Sequence, residues 1–223
     1  FTPVLDINFG TSSVIGDRSF HQHAKPIVDL ASSVMDGLNS GGMKSVGKHF
    51  PGHGFIKADT HLESANDDRS LEEIQEKDMN IFKEMIKKNI AGVMPSHVIY
   101  SSCDQKPAGF SKFWLEGQLR KILNFEGAIF SDDMGMMAAQ IYEKDLVSRV
   151  RKCLEAGCDM VLVCNQGDDV DKVLNKLSWK QDSISIERLL NMRRDYLYNY
   201  EGDLSQLNFC YEDAKKAIKE LKK

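Results

Sequence analysis

Apolar and polar positions follow two rhythms along the chain: short continuous apolar runs, and longer stretches with helical spacing. The runs are Phe1-Thr2-Pro3-Val4-Leu5-Asp6-Ile7, Ser45-Val46-Gly47-Lys48-His49-Phe50, Gly92-Val93-Met94-Pro95-Ser96-His97-Val98, Gly127-Ala128-Ile129-Phe130-Ser131-Asp132 and Met160-Val161-Leu162-Val163-Cys164. Their lengths and flanking residues predict five buried strands. Ile27, Leu30, Ala31, Val34 and Leu38 recur at helical spacing and predict a helix from Ala24 to Asn39, ended by Gly41-Gly42. Ser70-Leu71-Glu72-Glu73 is a capping box that opens a helix running to Lys88. Further helices are expected from Phe113 to Leu123 and from Lys144 to Ala156, the second stopped by Gly157. Trp114 and Trp179 read as helix anchors. Everything after Gln166 reads as helix in pieces, with residues 183–223 as a C-terminal helical extension.

Strands apolar on both faces, alternating with amphipathic helices, predict an α/β fold with a parallel sheet covered by helices. Asp6, His49, His97, Asp132 and Asn165 follow or end the strands. That is where open α/β sheets and (β/α)8 barrels carry their sites. The densest cluster is Lys48-His49-Phe50-Pro51-Gly52-His53-Gly54 with Asp59-Thr60-His61, on one strand end and the loop after it. This loop continues to Arg69, far beyond the usual length of about 4–6 residues, and long loops are commonly functional.

A formal net charge of −4 gives no electrostatic case for a nucleic-acid or anionic-membrane partner. No apolar run approaches the ~20 residues of a membrane helix. The five cysteines lack any CxxC pair, which argues against a disulfide framework or a zinc knuckle. Reduced thiols point to a cytoplasmic location.

Three chemistries compete for the histidine cluster. Gly42-Met43-Lys44-Ser45-Val46-Gly47-Lys48-His49 nearly matches a phosphate-binding loop. However, His49 replaces the required Ser or Thr, and the glycines follow a helix instead of preceding one. His49, His53, His61, Asp59 and Asp132 have the ligand types for a metal but no diagnostic spacing. The reading adopted is acid–base and nucleophilic chemistry with no cofactor and no metal. Asp59 can orient and charge-stabilise His61 as a proton donor, and Asp132 at a strand end is a fixed carboxylate. Lys48 and Arg18 can donate to substrate oxygens. A proton donor opposite a carboxylate suits glycosidic bond cleavage.

The cluster resembles the signature of glycoside hydrolase family 3, in its bacterial β-N-acetylhexosaminidase branch. The likeness extends through Phe1-Thr2-Pro3-Val4-Leu5-Asp6, Ile15-Gly16-Asp17-Arg18-Ser19-Phe20, Met94-Pro95-Ser96-His97-Val98, Gly109-Phe110-Ser111, Ile129-Phe130-Ser131-Asp132-Asp133-Met134 and Ala156-Gly157-Cys158-Asp159-Met160-Val161-Leu162-Val163-Cys164. The resemblance implies a (β/α)8 TIM barrel and a retaining mechanism. It makes Asp132 the nucleophile, Asp59–His61 the acid/base dyad, and Arg18, Lys48 and His49 the residues that hold the sugar. It also implies a saccharide substrate, terminal N-acetylglucosamine on peptidoglycan-derived saccharides. Asp133 is expected to be a structural neighbour, and His97 either a site residue or a satisfied core histidine.

Only five strands are expected, where the barrel has eight. Residues 1–223 are therefore expected to be one catalytic domain holding the C-terminal five β/α units. Its N-terminal strands would lie on a missing segment or a second chain. Two alternatives stand beside hydrolysis: a non-catalytic sugar-binding remnant, and a phosphorylase using the same site.

Overall fold

The computed structural model describes residues 1–165 and 167–193, together with 212–213, 215–216 and 219–220. Phe1–Arg193 forms one unit and Arg194–Lys223 a second. In the second unit the described residues are helical, with Lys215 Nζ 3.0 Å from Glu212 Oε1. The remainder of the expected extension beyond residue 193 lies outside the described residues.

In chain order the first unit contains α1 (Ala24–Ser40), β1 (Val46–Phe50), β2 (Ala65–Asp67), α2 (Leu71–Ile74), a π-helical turn (Gln75–Met79) and α3 (Asn80–Lys87). Then come β3 (Gly92–Pro95), β4 (Val98–Tyr100), a π-helix (Phe113–Ile122), β5 (Ala128–Asp133) and α4 (Met137–Tyr142). It closes with α5 (Leu146–Ala156), β6 (Met160–Leu162), α6 (Gly167–Lys176) and α7 (Ser183–Asn191). The main sheet has the order β1-β3-β5-β6 and is parallel throughout.

Two strand expectations need correction. The stretch from Phe1 to Ile7 lies beside β1, joined by the Val46 amide to the Thr2 carbonyl, the Lys48 amide to the Pro3 carbonyl and the Leu5 amide to the Lys48 carbonyl, but forms one isolated bridge, Val4 to Lys48, and no full strand. Pro3 has no N–H to give to a ladder, and beyond Leu5 the His49 amide turns to the Asp6 carboxylate. The expected third strand breaks at Ser96-His97 into β3 and β4. β4 then pairs with β2, which the sequence hid inside a loop, as a separate two-stranded parallel sheet.

The helices form for the reasons legible in the sequence. Both halves of the capping box are present, Glu73 N–H to Ser70 Oγ and Ser70 N–H to Glu73 Oε2, each at 3.2 Å. Gly157 ends α5 in the left-handed region at φ 119°. α1 buries Ile27, Ala31 and Met35, while the expected inward residue Leu30 is exposed. Trp114 is fully buried in the π-helix, but Trp179 lies exposed between α6 and α7, outside any helix.

Period-two alternation divides the sheet residues between two faces. Val93 and Ile129 join the main core beneath the helices, with Ile27, Phe82, Trp114 and Val150, and Phe50 joins them because the β1 ladder is irregular between Lys48 and Phe50. Val46, Met94, Ala128 and Phe130 form a smaller cluster on the opposite face, covered in part by Leu189 and Met192 from the α7 end. Lys48, two residues after Val46, and Asp132, two after Phe130, continue that second face to the C-terminal strand ends. Lys48 and Asp132 thereby come close enough for each to shift the other's titration. Among the described residues no helix is long and apolar enough to cross a membrane.

Candidate active site

The site is organised around a carboxylate that sequence reasoning left out of the residue set. Asp6 is buried at the end of the N-terminal extended segment. Its Oδ2 lies 2.7 Å from His49 Nδ1, and its Oδ1 accepts the His53 amide at 2.8 Å. Burial works against the Asp6 charge, but the His49 ring and the His53 ring and amide outweigh it and hold the carboxyl below its usual range. Asp6 thus locks the end of β1 and the turn after it. It also occupies Nδ1 of His49, so the ring has only Nε2 left for a substrate. Asp6 does lie just past an apolar run, the same positional signal that marked Asp132.

Asp132 ends β5 with Oδ1 accepting the Asp133 amide at 2.8 Å. Its other oxygen has no protein hydrogen bond among the described residues. Burial would raise this carboxyl, but His49, His97, the Asp133 amide and Lys48 together keep it below the ordinary range, hence ionised. Asp133 is committed elsewhere: its Oδ1 accepts from Gly135 N–H and Cys164 N–H, both at 2.9 Å, tying together the loops after β5 and β6. Lys48 is half-buried. Burial first, then the charge of Arg18, lower its pKa, while Asp132 and Asp6 oppose the shift. Arg18 sits exposed in a 3-10 turn (Gly16–Arg18), with Nη1 3.1 Å from the Val14 carbonyl.

His97 is buried and stacked on Phe110, and its Nε2 lies 3.1 Å from the Asp133 carbonyl oxygen. Burial lowers its pKa. Donating through Nε2, the His97 ring braces the backbone beside Asp132.

Asp59 and His61 form the expected pair. Asp59 Oδ1 is 2.8 Å from His61 Nδ1 and also accepts the His61 amide at 2.8 Å. The double contact fixes the ring against its own turn and leaves Nε2 for proton transfer. His61 is well exposed, with 57% of its side-chain surface open.

Beneath this loop lies a buried ion cluster that the sequence did not signal. Arg69 donates to Asp67 through Nε and Nη2 and to Asp78 Oδ2 through Nη1 at 2.8 Å. Its guanidinium stacks on Phe55, 4.2 Å from the ring centroid. Asp78 comes from the π-helical turn, a feature frequent near functional sites. Two carboxylates share one guanidinium, with Asp6 nearby. Burial, opposed by Arg69 and reinforced by Asp6 and Asp67, pushes Asp78 up to about 6 from an ordinary 3.8. Between about pH 4 and about 6 the folded carboxyl keeps a proton that the unfolded one has released. Stability is therefore expected to fall as pH rises through that window, by about 3 kcal/mol at most, and then to level off. The depressed carboxyls of Asp6 and Asp132 act below the window, where falling pH costs stability. Urea unfolding from pH 4 to 7 checks this, and Asp78→Asn should flatten the slope.

The close approach of the histidine turn to the N-terminal segment depends on one glycine. A Cβ on Gly54 would lie 1.8 Å from the Ile7 carbonyl oxygen. Gly54→Ala is expected to cost about 3 kcal/mol. Gly37→Ala, in α1 with open space around it, should gain about 1 kcal/mol. Denaturant midpoints measured side by side test the contrast.

Among the described residues no group of three or more His, Cys, Asp or Glu side chains is arranged to hold a metal ion. What the geometry offers is an ionised carboxylate at a strand end, a braced imidazole on an exposed loop, and cations nearby.

This chain belongs to glycoside hydrolase family 3: residues 1–192 match the family's N-terminal domain. It is 48% identical over 193 residues to a beta-hexosaminidase of Nitrosomonas eutropha, covering 86% of this chain and 55% of that protein. A beta-hexosaminidase of Methylobacillus flagellatus is 49% identical over 192 residues, with the same coverage. In three dimensions it is similar to NagZ from Neisseria gonorrhoeae, solved with N-trifluoroacetyl-D-glucosamine, at a TM-score of 0.80 and 44% identity. That match covers 87% of this chain and 55% of NagZ. The chain spans about half the length of the curated relatives it matches. Its parallel, helix-covered sheet is accordingly part of a TIM-barrel-like α/β fold.

Proposed function

We propose that this chain carries the catalytic groups of a retaining β-N-acetylglucosaminidase acting on peptidoglycan-derived saccharides in the cytoplasm. Asp132 is the nucleophile, Asp59–His61 the acid/base, and Arg18, Lys48 and His49 hold the sugar. The observation that carries this reading is the pairing of His61 Nδ1 with Asp59 at 2.8 Å, together with an Asp132 carboxylate kept ionised by its neighbours. In the first step Asp132 attacks the anomeric carbon while His61 Nε2–H protonates the departing oxygen. In the second, the now neutral His61 takes a proton from water, which releases the sugar from Asp132. Asp59 stabilises the imidazolium whenever it forms.

The relatives' names support hexosaminidase activity, and the sugar in the NagZ structure supports an N-acetylglucosamine-type substrate. Free thiols at Cys103, Cys153, Cys158 and Cys164 support a reducing compartment. Among the described residues the main sheet has four paired strands, where a barrel has eight. In this reading the remaining strands come from polypeptide outside these residues, whether in the same chain or another.

The test is turnover of 4-nitrophenyl N-acetyl-β-D-glucosaminide, followed by NMR of the first sugar formed. The β-anomer is expected first. The α-anomer would contradict retention, a sugar 1-phosphate formed in phosphate buffer would identify a phosphorylase, and no turnover would leave the sugar-binding remnant.

A further inference from the structure

Thr60 separates the two members of the dyad, and it behaves unlike either. His61 is exposed, yet Thr60 is only 1% exposed. Its Oγ1 lies 2.9 Å from His53 Nε2. Its carbonyl accepts the Ala138 amide at 3.1 Å, from the helix that follows Asp132 and Asp133. His53 is itself buried and anchored, its amide on Asp6 Oδ1. The path from the end of β1 to the head of α4 therefore runs through one residue in the middle of the dyad, by two hydrogen bonds.

The bond between Thr60 and His53 is costly to keep. His53 Nδ1 is buried with no partner among the described residues, and burial disfavours the charged ring. An apolar side chain would avoid both penalties. Meanwhile the Asp59–His61 contact is local to its own turn and does not need Thr60 to form. The dyad can therefore be assembled correctly and still be delivered to the wrong place.

We propose that Thr60 and His53 are positioning residues. Their hydrogen bond, together with the Thr60 carbonyl on Ala138, latches the loop so that Asp59 and His61 face the end of β5. The inference rests on the functional reading above and adds to it the element that sets the aim of the acid/base.

The experiment uses the intact protein with two substrates, comparing kcat/KM. The 4-nitrophenyl glycoside has a leaving group that needs little protonation, whereas the methyl glycoside of N-acetyl-β-D-glucosamine depends on it. Thr60→Val keeps the shape and removes the hydroxyl. It is expected to lower kcat/KM for the methyl glycoside about 100-fold, the scale of a misplacement near 1 Å. The 4-nitrophenyl glycoside should change less than about 3-fold, and Thr60→Ser should restore both. His53→Phe removes the same bond from the other side and should give the same substrate split. The double variant should lose no more than either single one. Equal losses on both substrates, or a Thr60→Val protein indistinguishable from Thr60→Ser, would overturn the latch while leaving the functional reading standing. A wild-type protein that turns over neither substrate removes the functional reading and the latch together.

Discussion

Asp132→Ala is expected to lower kcat by roughly 10⁴-fold or more, the largest effect of any single substitution here. The reason is specific to its environment. Asp132 sits at the C-terminal end of β5, where one oxygen is held by the Asp133 amide and the other has no hydrogen-bond partner among the described residues. His49, His97 and Lys48 hold it ionised despite burial. A carboxylate kept charged in a buried site has much of its solvation supplied by fixed groups, which favours attack over protonation. Asp133→Ala offers the control. Its carboxylate is spent on the amides of Gly135 and Cys164, so its loss should loosen the loops after β5 and β6. The expected result is lower stability and a smaller fall in kcat. Steady-state rates and urea midpoints for the two variants separate the roles.

His61→Ala is expected to cost 10²- to 10⁴-fold in kcat, the usual range for removing a general acid–base. The loss should be greatest for glycosides with poor leaving groups, because protonation matters most there. For the 4-nitrophenyl glycoside kcat/KM should survive better than kcat, because hydrolysis of the glycosyl-enzyme still lacks its base. Azide, which needs no base to attack, should then restore turnover and yield a glycosyl azide. Asp59→Ala should resemble a milder His61→Ala, since the ring remains but loses its 2.8 Å partner. A His61→Ala protein that ignores leaving-group quality and azide would show that the imidazole is not the acid/base.

Local signals were readable in the chain, and long-range ones were not. The capping box at Ser70 and the stop at Gly157 act within a few residues, and both stand where the sequence put them. Strand identity depends on partners. The Phe1–Ile7 run is apolar enough for a strand, but Pro3 lacks a donor and Asp6 diverts the His49 amide, so one bridge remains. β2 is only Ala65–Asp67 and is defined by pairing with Val98–Tyr100, which no periodicity over three residues could reveal. Met160–Leu162 was visible because its apolar run is long enough to stand out alone.

The site divides the same way. The Asp59–His61 contact and the place of Asp132 near a strand end were legible because a spacing of two residues and the end of an apolar run are local facts. Asp6, His53 and Thr60 act across separations of 43 residues for Asp6 to His49, 47 for Asp6 to His53 and 7 for His53 to Thr60. Arg69 reaches Asp78 only because a π-helical turn carries that carboxylate beneath the histidine loop. A stretch of α-helical sequence gives no notice of such a turn.

The most direct measurement is the mass of the protein before and after exposure to a fluorinated N-acetylglucosamine inactivator that forms a stable glycosyl-enzyme, followed by peptide mapping. One covalent sugar is expected, on Asp132. An adduct on Asp133, Asp59 or any other residue, or turnover of substrate with no adduct at all, would contradict it.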